Sequence, residues 1–299
     1  MDERPDIIVV LSGDQLYRMN LADVIRRHRE SGADLTISVK PVSRHEAAAL
    51  GIMQADSSGR VVRFVEKPAG EAGLEELRAP VDRQERYLAS MGIYVFNTDV
   101  LFKVLDNTLA DFGKDVIPGT IEQYRVQASV FEGYWKDIGT IRSFWEANLE
   151  LTEPVPEFNF YDPAAPIHTR MRYLPPSKIN CCDLNNALLS EGCVISGHRI
   201  LHSIIGIRAV TGEGSVIEHS VIMGSDYYEW TPPGDGRPPV GIGRDCFIRN
   251  AIVDKNARIG EGAYIVPDGK PDVVTPLYSV KDGIIVIPKN AVIPAGMRL

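Results

Sequence analysis

In the second half of the chain, aliphatic residues recur every six positions: Leu188, Val194 and Ile200; then Ile204, Val210, Val216 and Ile222; then Val253, Ile259 and Ile265. Six is neither the 3.6-residue period of a helix nor the two-residue period of an ordinary strand. It is the period of a chain that turns a corner after every short strand, so that each repeat makes one flat face and stacked coils bury a continuous apolar column. Glycine and small residues fill the intervals, as close stacking of coils requires. The stretch YYEWTPPGDGRPP breaks the step and is expected as a loop expelled from the coil. These residues predict a left-handed parallel β-helix of hexapeptide repeats over 179–299.

The first half has a different grammar. Ile7 to Leu11 are five successive aliphatics, the composition of a strand covered on both faces. Asn20 caps a segment whose Leu21, Val24, Ile25 and His28 share one helical face, and Gly32 ends it. LTISVKPV reads as a strand, and LGIMQAD and RVVRFVEKP flank Ser57-Ser58-Gly59 as a hairpin. PAGEAGLEELRAPVDRQER is polar and charged, the composition of a mobile surface excursion. YLASMGIYVFN is a strand, TDVLFKVL a short helix, DFGKDVIPGTIEQY a turn running into a helix, and VQASVFEGYW a last strand. Thr140 can cap the helix TIRSFWEANLELT. Strands alternating with helices predict an α/β, Rossmann-like domain over 1–152 with a mostly parallel sheet and ligands at the strand C-terminal ends. Residues 153–178 are proline-studded and aperiodic, the composition of a linker.

Charge and cysteine usage narrow the function classes. With 32 Lys and Arg against 40 Asp and Glu, the formal charge of −8 argues against nucleic acid as a partner. Any phosphate site must then be local. Cys181, Cys182, Cys193 and Cys246 form no CxxC pair and read as reduced, mostly packed thiols rather than zinc ligands. The acidic start MDERPD is unlike a secretory signal and no apolar run reaches membrane-spanning length, so a soluble cytoplasmic protein without a membrane partner is expected.

Four stretches of the first half set charge or an aromatic beside an apolar strand: LSGDQ, FVEKP, DFGKD and GYWKDIGT. Asp14 and Asp137 both terminate predicted strands, so two carboxylates could reach one crevice, where hard oxygens and substrate phosphates suit Mg²⁺. Lys67, held by Pro68, is a compact cation for a phosphate. Glu66 beside it can accept hydrogen bonds from hydroxyls.

LSGDQLYRMN, FVEKP, ASMGIYVF, DFGKDVIP and GYWKDIGTIRSFWEANL, followed by LPPSKI, VIMGSDYYE and DKNARIG in a hexapeptide-repeat tail, resemble the ADP-glucose pyrophosphorylase family, the glucose-1-phosphate adenylyltransferases. The resemblance implies a nucleotidyltransferase that converts ATP and glucose 1-phosphate to ADP-glucose and pyrophosphate in glycogen or starch synthesis, as a homotetramer. Carried over by motif, Asp14 matches the catalytic, metal-binding aspartate and Asp137 the second metal ligand. Glu66 and Lys67 match the sugar-phosphate site, and Ser90, Asp111, Phe112 and Trp135 match positions lining the glucose pocket. KDGIIVIPKN resembles an activator-binding tail motif, which carries over Lys289 and, less closely, Lys281 as allosteric residues.

Family members open with a glycine-rich, Arg-containing loop that wraps the triphosphate ahead of LSGD. No such loop precedes LSGD here, so the expectation is an N-terminally truncated or split member that lacks the ATP cradle, or a short subunit pairing with a longer one in a hetero-oligomer. Three alternatives stand beside this reading: a non-catalytic regulatory subunit, another sugar-1-phosphate nucleotidyltransferase with a thymidylyl or guanylyl donor, and a hexapeptide-repeat acyltransferase with His198, His202 or His219 as its base.

Overall fold

Apolar runs punctuated by Asn, Asp and Gly lay down the first unit in the expected order. The computed structural model describes residues 4–68, 70–79, 86–106, 112–231 and 233–299, in two units, Met1–Asp137 and Ile138–Leu299. The first contains β1 (Ile7–Leu11), β2 (Gln15–Tyr17), α1 (Leu21–Ser31), β3 (Leu35–Val42), α2 (Arg44–Ala47), β4 (Gly51–Ala55) and β5 (Val61–Glu66). It continues through α3 (Gly70–Glu75), β6 (Tyr87–Asn97), α4 (Thr98–Leu105), a π-helical turn (Phe112–Val116), α5 (Ile117–Gln123), β7 (Val126–Val130) and β8 (Trp135–Asp137). The Asn20 side chain accepts from the Ala22 amide to start α1, and Gly32 ends it in the left-handed conformation. Asp56 caps the β4–β5 turn by accepting from the Ser58 and Arg60 amides.

The main sheet of this unit is mixed, where strand–helix alternation suggests a mostly parallel one. β6 runs antiparallel to β1, β3 and β4, β4 and β5 form a hairpin, and among the described pairings only β3–β7 is parallel. A tight turn makes β4 and β5 antiparallel neighbours, while the longer connections place β6 antiparallel to β1, β3 and β4, and the crossover through α4 and α5 delivers β7 parallel to β3. Ile52, Val65 and Ala89 alternate with Met53, Phe64 and Leu88, so the two apolar clusters they join lie on opposite faces of the sheet.

Two expectations change. β1 is half-buried rather than covered on both faces, with Leu11 exposed, and among the described pairings it lies at the sheet's edge, bonded to β6 alone. The polar stretch after Pro68 is in part ordered: Gly70–Glu75 is helical, and Leu74 and Leu77 are buried beside Tyr87. Its charged residues mask two apolar anchors, which is why composition alone reads as a surface excursion.

In the second unit α6 (Ile141–Glu150) starts at Thr140, which exchanges cap hydrogen bonds with Ser143, and packs through Leu149 onto Val221, Ile252 and Ile284. Residues 153–176 carry no regular structure. From Lys178 the chain winds into coils whose strands pair in parallel: Val194 with Val210, Arg199 with Val216, Phe247 with Tyr264. The YYEWTPPGDGRPP loop leaves the coil between Ile222 and Gly241 and is tied back by a bidentate Arg258–Glu229 pair.

The inward register differs from the six-step reading at five of its ten positions. Ile200, Ile222, Val253, Ile259 and Ile265 lie in the core, but Leu188, Val194, Ile204, Val210 and Val216 each stand one residue before the side chain that points in. The column is instead built from Leu189, Ile195, Ile205, Thr211 and Ile217. Coils advance by 16 or 17 residues, as the offsets of Val194 to Val210 and Phe247 to Tyr264 show, rather than by three full hexads. A strict period of six therefore drifts onto the outward residue of a two-residue alternation. Cys193 and Cys246 fill small inward positions two residues before Ile195 and Ile248, whereas Cys181 is exposed and Cys182 only half-buried, so two of the four thiols are packed; all four are free.

Candidate active site

The loop Ser12-Gly13-Asp14 is held where β6 bends. Gly92 takes φ +66, a conformation that costs glycine little, and its carbonyl accepts from the Ser12 amide at 2.9 Å. A Cβ on Gly92 would stand 2.8 Å from the Ser12 Cβ, so only glycine lets the loop approach this closely. Ser12 Oγ in turn donates to Asp14 Oδ1 at 2.5 Å. That hydrogen bond holds the Asp14 carboxyl below the usual carboxylate range.

Three-residue strands then bring the second carboxylate in. β2 pairs antiparallel with β8 in the register Gln15–Asp137, Leu16–Lys136, Tyr17–Trp135. The Gln15 side-chain amide donates to Asp137 Oδ2 at 3.2 Å and reaches Asp14 Oδ1 at 3.5 Å. Asp14 and Asp137, far apart in sequence, thus meet around one amide nitrogen. Each carboxylate has a second oxygen beyond the one the amide holds, and two hard oxygen ligands of this kind fit Mg²⁺, which completes its octahedron with water and phosphate oxygens. Among the described residues no group of three or more His, Cys, Asp and Glu is placed to share a metal ion. The donor set therefore fits a cation held by two carboxylates that takes its remaining ligands from water or, when present, substrate, rather than one caged by protein.

The sugar-phosphate candidates end β5 and lie along its row. Gly51 of β4 is opposite Glu66, and an added Cβ there would come within 2.6 Å of Glu66 Oε2, so the carboxylate lies over the glycine. Lys67 is exposed, at φ +46, just before the buried Pro68. A left-handed residue preceding proline is an uncommon and strained arrangement of the sort that gathers at functional sites. Ser90 lies on β6 with its hydroxyl 3.4 Å from that of Tyr94. Phe112, the first residue of the π-helical turn, packs against Tyr94 and Phe96 with ring centroids 5.6 and 6.3 Å away. Asp111 lies outside the described residues.

Not all of these side chains share one face. Phe112 packs on the cluster containing Met53, Phe64 and Leu88, whereas Trp135 packs on the opposite one, beside Ile52, Val65 and Ala89. Trp135 Nε1 and Tyr87 Oη are buried on that second side without a hydrogen-bond partner among the described residues. Residue type and motif do not single out Ser12, Gln15, Tyr87 or Gly92. The available signal was their position inside LSGDQ and ASMG, next to residues already chosen.

In the second unit Lys289 and Lys281 do not meet on a common partner. Lys289 pairs with Asp226, which Lys255 and Asn256 also hold, and these contacts bring the Asp226 carboxyl down to about 2. Lys281 pairs with Asp272 at the end of a hairpin. His202 and His219 meet edge to face, ring centroids 5.3 Å apart, with His202 Nδ1 2.8 Å from Thr152 Oγ1. Burial, and His202 beside it, lower the His219 pKa.

A family model described as nucleotidyl transferase matches residues 1–154. A second, described as the GLGC left-handed parallel β-helix domain, matches residues 172–297.

Proposed function

Because this chain belongs to the nucleotidyl transferase family and continues into a left-handed β-helix of the GLGC kind, we propose that it acts in glucose-1-phosphate adenylyl transfer: ATP and glucose 1-phosphate give ADP-glucose and pyrophosphate. The observation that carries the proposal is the meeting of Asp14 and Asp137 around Gln15, in a small two-stranded sheet of the same unit whose main sheet carries Glu66 and Lys67 at the end of its edge strand β5. In this reaction an oxygen of the sugar phosphate attacks the α-phosphorus, a P–O bond forms, the bond to the β-phosphate breaks, and pyrophosphate leaves. Positioning and neutralisation of phosphate charge do most of the work.

Each residue then has a defined task. Lys67 binds the sugar phosphate and orients its attacking oxygen. Glu66, whose carboxylate lies over Gly51, accepts hydrogen bonds from sugar hydroxyls, and Ser90 and Phe112 complete that side of the sugar site. Asp14 and Asp137 hold Mg²⁺, which when bound offsets charge on the triphosphate. The Ser12 hydrogen bond lowers the Asp14 carboxyl further below its already acidic ordinary value, so it is ionised at physiological pH. Lys289, with Lys255 beside it, provides a cationic patch for a regulatory anion.

Calorimetric titration of the full chain with glucose 1-phosphate, and with each of the four nucleoside triphosphates plus Mg²⁺, tests the reading. Glucose 1-phosphate binding that Lys67→Ala removes, and a preference for ATP, support it. A preference for another triphosphate moves the chain to a different sugar nucleotide, and failure to bind any sugar phosphate overturns the proposal. No helix among the described residues is long and apolar enough to cross a membrane.

A further inference from the structure

We infer that Gln15 is a positioning residue for the cation, the element that sets the distance and orientation of Asp14 and Asp137; the inference rests on the reading of these carboxylates as metal ligands. A glutamine amide has two N–H donors and one acceptor, whereas an ionised carboxylate only accepts. With a carboxylate on each side, the nitrogen end must face them, and its two donors match the two carboxylates it touches. The strand register makes this reach possible, because Gln15 lies directly across from Asp137 and next in sequence to Asp14.

Residue choice at this position follows from electrostatics. Two carboxylates brought together repel, and something must hold them before a cation arrives. A lysine or protonated histidine would do so by neutralising them, and would then compete with the cation. A neutral amide bridges the pair without adding a positive charge of its own. It also holds one oxygen of each carboxylate, Asp14 Oδ1 and Asp137 Oδ2, and so fixes how the two carboxylates are turned relative to each other. Ser12 adds a second donor to the same Asp14 oxygen, reinforcing that orientation. Outer hydrogen-bond partners of metal ligands act in this way, and their removal weakens metal affinity roughly 10- to 100-fold. The carbonyl oxygen of Gln15 is buried without a partner among the described residues, so the side chain is kept here by its nitrogen contacts alone.

The test is direct Mn²⁺ binding by the full chain, read from the loss of the free-ion electron paramagnetic resonance signal, for the wild type, Gln15→Met and Asp137→Asn, with urea midpoints measured alongside. The expected result is loss of binding in Asp137→Asn and a roughly 10- to 100-fold weaker dissociation constant in Gln15→Met. Should Gln15→Met lower the urea midpoint, Gln15→His separates the causes, because a ring N–H can still serve one carboxylate; affinity between those of the wild type and Gln15→Met then supports the bridge, and affinity no better than that of Gln15→Met overturns it. Unchanged affinity in Gln15→Met with binding lost in Asp137→Asn overturns the role of Gln15 and leaves the metal reading intact. Unchanged binding in Asp137→Asn, or no binding by the wild type, overturns the metal reading itself and the inference with it.

Discussion

Replacing Gly92 with alanine should damage both the fold of the first unit and its carboxylate pair. At φ +66 the left-handed backbone alone costs an alanine about 1 to 2 kcal/mol. The new Cβ would also stand 2.8 Å from that of Ser12, and moving the loop aside adds about 1 to 3 kcal/mol, as in an overpacked core. The combined expectation is about 2 to 5 kcal/mol. Gly13 is the internal control, since it is two residues from β1 in the same loop, has no left-handed φ and meets no atom within 4 Å. Gly13→Ala should be neutral, or stabilising by a few tenths of a kcal/mol up to about 1 through the unfolded chain. Urea unfolding followed by circular dichroism compares the two, with the first unit's transition moving in Gly92→Ala only. The displacement of Ser12 should also loosen its hydrogen bond to Asp14, so Mn²⁺ affinity should fall in parallel. Equal midpoints for Gly92→Ala and the wild type, or equal losses for both alanines, would refute the argument from close approach.

Three further outcomes follow from other parts of the chain. Lys67→Ala should weaken glucose 1-phosphate binding by about 1.5 to 3 kcal/mol, the worth of a charged hydrogen bond, measured calorimetrically; an unaltered affinity removes Lys67 from the site. Ile195→Ala should cost the β-helix about 2 to 5 kcal/mol and Val194→Ala about 1 or less, by thermal unfolding, and the reverse order would contradict the inward register described above. His28 is buried, with Nδ1 2.8 Å from Thr36 Oγ1 and Nε2 3.1 Å from Asn97 Oδ1, and burial lowers its pKa below 6.5. The unfolded chain therefore binds this proton first, so stability should fall as pH drops below about 6.5, and His28→Gln should flatten that slope in urea midpoints taken from pH 7.5 to 5.5; an identical slope in both proteins would exclude His28 as its source.

How far the sequence alone could reach depends on the range of the interactions involved. Local signals read well: Asn20, Gly32 and Thr140 mark helix ends because their caps involve neighbours a few residues away. LTISVKPV and YLASMGIYVFN coincide with strands because β-branched and aromatic runs report burial directly. The coil period was legible for the same reason, but its phase was not. A residue such as Val194 and its neighbour Ile195 are equally aliphatic, and only the 16-residue offset to the next coil decides which one points inward. Sheet direction was less legible still, since β6 pairs antiparallel with β1, β3 and β4, strands far from it in sequence, and no local pattern records which way a distant partner runs. The candidate site is an extreme case of the same limit. Motifs select Asp14 and Asp137 one at a time, yet what makes them a pair is a register between two three-residue strands, each too short to carry a periodicity. Gln15 has no chemistry that marks it in isolation. It becomes informative only when strand pairing sets it against Asp137, so the residue that turns two carboxylates into one cation site is the one that sequence reading has least reason to choose.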